Sequence, residues 1–155
     1  MTLYYLLKII HGLLAAVLLG TALGGLFFAL RAWKSGDLKQ IEATFGSLVR
    51  LELWFVASSA LLLPLSGLAL AKVAGWPLGQ VWLLWSAGLY LLAALCWLPL
   101  FWLQVRIRNL ARQALLAGRP LARQVVGHMA ARTWLAVLAL ALLVAVYALM
   151  VVKPL

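Results

Sequence analysis

Residues 81–105 read VWLLWSAGLYLLAALCWLPLFWLQV, with no lysine, arginine, aspartate or glutamate among them. Wound as a helix at 1.5 Å per residue, such a run rises about 37 Å, more than the ~30 Å of hydrocarbon in a bilayer. Three further runs match it. One spans about 3–30 and is broken only by Lys8 and His11. One spans about 48–71, with Glu52 near its start. One spans about 125–152 and is interrupted by His128 and Arg132. Strands of alternating polarity are absent from the pattern, so a barrel is excluded. The expected fold is all-α: a polytopic membrane protein with a single four-transmembrane-helix domain over 1–155, up-down-up-down.

Composition agrees. The chain is 155 residues long, 67% hydrophobic and only 10% charged. A soluble domain is about half apolar and about a quarter charged, and could not hide this much apolar surface. The first run, from Ile9 onward, is too long for a signal-peptide core. The single cysteine, Cys96, can form no internal disulfide or cysteine-rich metal site and reads as a small packing residue.

Polar punctuation separates the runs: Arg31 to Asp37, the Gly75-Trp76-Pro77-Leu78-Gly79 loop, and Gly118-Arg119-Pro120. Residues Arg106 to Arg123 read as an amphipathic overhang of the third helix before that last break. Net charge is +10. The first and third connections hold Arg31, Lys34, Lys39, Arg50, Arg106, Arg108, Arg112, Arg119 and Arg123, against Lys8, Lys72 and Lys153 on the other side. Basic residues collect in cytoplasmic loops, so both termini are expected in the periplasm and the protein in a bacterial inner membrane. The excess charge has that topological cause. No aromatic-interleaved basic surface points to nucleic acid.

Ionisable groups inside a span are expensive and mark function or specific pairing. Lys8 and His11 are three residues apart and share a helix face with Tyr4 and Ala15. His11 is either a metal or haem ligand or a histidine hydrogen-bonded to a neighbouring helix. Gly12, Ala16, Gly20 and Gly24 recur every four residues, a ridge against which a helix or a flat macrocycle can lie. Glu52 enters its span from the basic side, as do His128 and Arg132, and is expected to form a structural pair with one of them. His11 approaches from the opposite end, so the two histidines are poor candidates to share one iron. Pro64, with Ser66 and Gly67, is expected to kink the second span, and Pro99 the third. No HExxH, Cys/His cluster or Ser-His-Asp set is present, so catalytic residues stay unassigned.

The opening Leu6-Leu7-Lys8-Ile9-Ile10-His11 followed by Gly20 and Gly24 resembles an uncharacterised family of predicted bacterial integral membrane proteins, the domain of unknown function 2269. So do Leu95-Cys96-Trp97-Leu98-Pro99, Gln104-Val105-Arg106-Ile107-Arg108 and the terminal Leu149 to Pro154. Lys-x-x-His also resembles the opening of the membrane haem-b protoporphyrinogen oxidases and of the copper-resistance D proteins. The first of these resemblances implies haem b within the bundle and, if the chain catalyses anything, an oxidoreductase. The later motifs of that oxidase have no match here. Met1, Met129 and Met150 are scattered rather than clustered as soft copper ligands.

The resulting expectation is a haem-b-binding membrane protein with a redox, sensing or haem-handling role. His11 would be axial ligand, Lys8 would face a propionate, and Tyr4, Ala15 and Met150 would border the pocket. The rival is a cofactor-free scaffold or accessory subunit of a larger complex. A transporter is a third class, but one four-helix chain would have to oligomerise to enclose a path. Eight tryptophans, more aromatic surface than one small bundle can bury, point to a homo-oligomer, with a dimer favoured.

Overall fold

A computed structural model describes residues 2–152, so Met1, Lys153 and the end of the terminal motif lie outside the described residues. The elements are α1 (Thr2–Ser35), α2 (Leu38–Leu51), a π-helical segment (Glu52–Val56), α3 (Ala57–Ala74), α4 (Val81–Ala117) and α5 (Gln124–Val152). No strand occurs among the described residues. Leu38–Ala74 is one continuous rod, so four helices are long and apolar enough to cross a membrane.

The first connection is shorter than the sequence suggests. Helix α1 continues through Arg31 to Ser35, and only Gly36 and Asp37 separate it from α2. Asp37 caps α2 by accepting the Lys39 backbone N–H at 3.1 Å. Helix α2 is amphipathic: Ile41, Phe45, Leu48 and Val49 are buried while Lys39, Gln40 and Arg50 are exposed. Its polar face lowers the local hydropathy, which hides the helix from a reading based on apolar runs. At the other breaks, Gly75 and Gly118 end α3 and α4 in the left-handed conformation, at φ 76° and 66°.

Alternating helices run antiparallel, giving a terminal end and a basic end. The basic end is the tighter. Phe45 and Ile107 are fully buried there with Ala29, Ala111, Val125 and Met129, in a core built from all the helices that extend past the apolar spans. A smaller cluster of Leu18, Val56 and Leu63 lies deeper in the spans. Two helical hairpins share this base. Helix α3 packs extensively on α1, and α5 on α4, whereas α3 has no extensive contact with α4 or α5.

Pro64 provides a link between the hairpins. A proline has no N–H to give the carbonyl four residues back, which here is Ala60. The Tyr90 hydroxyl, from α4, donates to that carbonyl at 2.6 Å.

Aromatic side chains mark depth. Trp54, Trp102 and Trp134 are 73%, 58% and 73% exposed. They stand at one level, beside Glu52, Gln104 and Arg132 in sequence. Trp85, Tyr5 and Tyr147 are exposed towards the terminal end. From Trp85 to Trp102 the helix rises about 26 Å, close to the hydrocarbon thickness that separates two interfacial aromatic belts.

Candidate functional site

Where the rod enters the membrane, Leu48, Glu52 and Val56 are all buried, at two successive steps of four. In an ordinary α-helix two such steps drift about 80° around the axis. The π turn absorbs the drift: the Ala57 N–H reaches the Glu52 carbonyl, and Glu52 stays on the inner face.

Glu52, only 5% exposed, is surrounded by polar groups from α4 and α5. Trp97 Nε1 donates to its Oε2 at 3.3 Å. Gln104, fully buried, turns its Nε2 towards Glu52 without reaching hydrogen-bond geometry. Arg132, 1% exposed, donates through Nε to Gln104 Oε1 at 2.8 Å and through Nη2 to the same oxygen. Its guanidinium lies 5.5 Å from the centroid of the Phe45 ring, which adds a cation–π contact. The direct ion pair expected between Glu52 and Arg132 does not form. Gln104 stands between them, and the two charges attract at longer range. The ion pair among the described residues is instead peripheral, Arg112 Nε to Glu42 Oε1 at 3.2 Å.

This arrangement leaves Arg132 Nη1 buried without a hydrogen-bond partner. Both Glu52 and Arg132 face a cavity of about 80 Å³ between the hairpins, walled by Ala60, Ala93, Ala136 and Ala139. His128 is not part of this cluster. Its ring meets Trp102 edge-on at 6.3 Å, and its Nε2 is buried without a partner.

His11 lies at the other end of the spans. Its Nδ1 is 2.9 Å from Ser66 Oγ, and that hydroxyl also donates to the Leu63 carbonyl at 2.9 Å. With its proton used on Leu63, Ser66 accepts from Nδ1–H, which leaves the His11 Nε2 lone pair free. Gly67 permits the contact, because a Cβ there would meet the imidazole Cε1 at 3.2 Å. Lys8 is exposed, with its amine 5.8 Å from the centroid of the Tyr4 ring. Tyr4 borders a surface recess with Val73, Ala74 and Trp76.

One of the pocket assignments changes. Ala15 packs on the cluster of Leu18, Val56 and Leu63, so that side of the His11 face is filled by protein. Met150 sits on α5. The glycine ridge is open instead: a Cβ at Gly12, Gly20 or Gly24 would meet nothing within 4 Å. Among the described residues no three histidine, cysteine, aspartate or glutamate side chains gather as a metal-holding group.

Gln104, Trp97, Phe45 and Tyr90 are site residues that the sequence reading passed over. Gln104 is the sole side-chain amide in the run 81–105, and Tyr90 answers the carbonyl released by Pro64. Both signals are present in the sequence but need a partner helix to acquire meaning.

These features define a multi-pass integral membrane protein, a four-helix bundle with a polar cluster buried at one end of its spans. The chain belongs to the predicted integral membrane protein family DUF2269, whose model matches residues 5–154. No curated protein and no solved structure matches it.

Proposed function

We propose that the chain binds haem b in the terminal half of the membrane, with His11 as an axial ligand, and serves a redox, sensing or haem-handling role. The observation that carries this reading is the hydrogen bond from His11 Nδ1 to Ser66. A ring nitrogen anchored in this way orients an imidazole and leaves Nε2 to coordinate iron. The residues fit one axial position. The open ridge of Gly12, Ala16 and Gly20 beside His11 offers a flat face for a macrocycle, while Lys8, a turn nearer the chain terminus, has the charge to meet a propionate.

The nine-to-three basic asymmetry supports a bacterial inner membrane location with both termini periplasmic. Activity of a cytoplasmic reporter fused at Leu155 would contradict that orientation. The open ridge also favours a second reading, a cofactor-free scaffold or accessory subunit that packs a helix there. A second copy packed on the same ridge would make a dimer.

The absorption spectrum of protein purified from haem-replete cells separates the readings. A Soret band is expected in the wild type, lost in His11→Ala and weakened in Ser66→Ala. Equal haem occupancy in wild type and His11→Ala would remove His11 as ligand. A colourless wild type would leave the scaffold reading.

A further inference from the structure

We propose that the cavity between the hairpins binds an uncharged, bilayer-soluble amphiphile whose carbonyl oxygen accepts a hydrogen bond from the Arg132 guanidinium. Arg132 is 1% exposed and its Nη1 has no partner, a loss that burial in a membrane makes costly. What the guanidinium lacks is an acceptor rather than a charge. Glu52 already balances it at longer range, and a bound anion would lie against that carboxylate. A carbonyl oxygen adds no charge and accepts a hydrogen bond through either of its two lone pairs.

The walls select the rest of the molecule. Ala60, Ala93, Ala136 and Ala139 make them smooth and apolar, and the volume of about 80 Å³ is several times the 10–15 Å³ that a single water requires. It suits a compact head group with its chain outside. Ala94 lines the cavity and is also exposed on α4, where α3 makes no extensive contact, so the chain of the ligand can lie in the bilayer. The site is separate from His11: along α1, Leu18 at the cavity wall is about 10 Å below it.

Carbonyl heads of this kind come from lipid-soluble quinones and from neutral acylglycerols. The test titrates decylubiquinone, monoolein and decanoate into the full chain in detergent micelles and follows binding by calorimetry. Saturable binding of decylubiquinone or monoolein is expected, and the tighter of the two identifies the source. Arg132→Met is expected to weaken it about tenfold, the loss of one good hydrogen bond. Ala136→Leu fills the cavity without touching the polar groups and is expected to weaken it at least as much, with helicity and elution volume unchanged. His11→Ala is expected to bind as the wild type does, so this result stands or falls independently of haem. Failure of both neutral ligands to bind, tighter binding of decanoate at neutral pH, or undiminished binding by Ala136→Leu would each overturn the proposal.

Discussion

Replacing Tyr90 with phenylalanine removes one hydroxyl and leaves the ring, so its effect isolates the bond to the Ala60 carbonyl. Side-chain hydrogen bonds between helices in a bilayer are worth about 0.6 kcal/mol on average and up to about 1.7. The Ala60 carbonyl has no helical N–H to fall back on, because Pro64 occupies the donor position, so the cost should sit towards the upper end, about 1–2 kcal/mol. Pro64→Ala restores that N–H. In its background the tyrosine hydroxyl becomes redundant, and Tyr90→Phe should cost no more than about 0.5 kcal/mol. The coupling between the two positions is then about 1 kcal/mol. Reversible unfolding of all four proteins in mixed micelles, followed by circular dichroism against SDS mole fraction, measures it. Equal costs of Tyr90→Phe in both backgrounds would refute the reasoning.

Phe45→Ala empties the centre of the core at the basic end and should cost about 3–5 kcal/mol in the same assay. Arg132→Met strands Glu52 without its nearby cation and should cost a similar amount, about 3–5 kcal/mol, and Glu52→Gln in that background should restore part of the loss. Trp54→Ala and Trp134→Ala, both on the exposed belt, should change stability by less than about 0.5 kcal/mol, and a larger loss would place those rings against protein.

The four spans were legible because each is an apolar run longer than the hydrocarbon is thick, a property of sequence alone. Helix α2 was not, since its buried stripe of Ile41, Phe45 and Leu48 alternates with lysine, glutamate and arginine, and only a partner surface distinguishes that pattern from a polar loop. The same limit governs the polar residues. Glu52 and Arg132 announce themselves by charge, and both indeed face one cavity. Gln104 is neutral and its role depends on lying between them, which follows from the registration of α4 against α5. His11 was legible as an unusual residue, but its hydrogen bond depends on Ser66 and Gly67, 55 and 56 positions away. Ala15 illustrates the converse: it shares the helix face of His11, yet whether that face is open or filled is decided by α3.

The π turn at Glu52–Val56 has the form of an accommodated insertion. A helix that gains one residue can either rotate everything beyond it by about 100° or swell locally by one turn, and this rod has swollen. A chain lacking Leu53 would step from Leu48 to Glu52 to the residue now at 56 by four and then three, an ordinary α-helical interval. Both flanking helices would keep their inward faces, and the difference would be confined to the turn that carries the carboxylate. Length variation at this point is therefore cheap for the fold and consequential for the polar cluster, so related chains that differ in length here would be expected to differ in what the cavity holds before they differ in how the bundle packs.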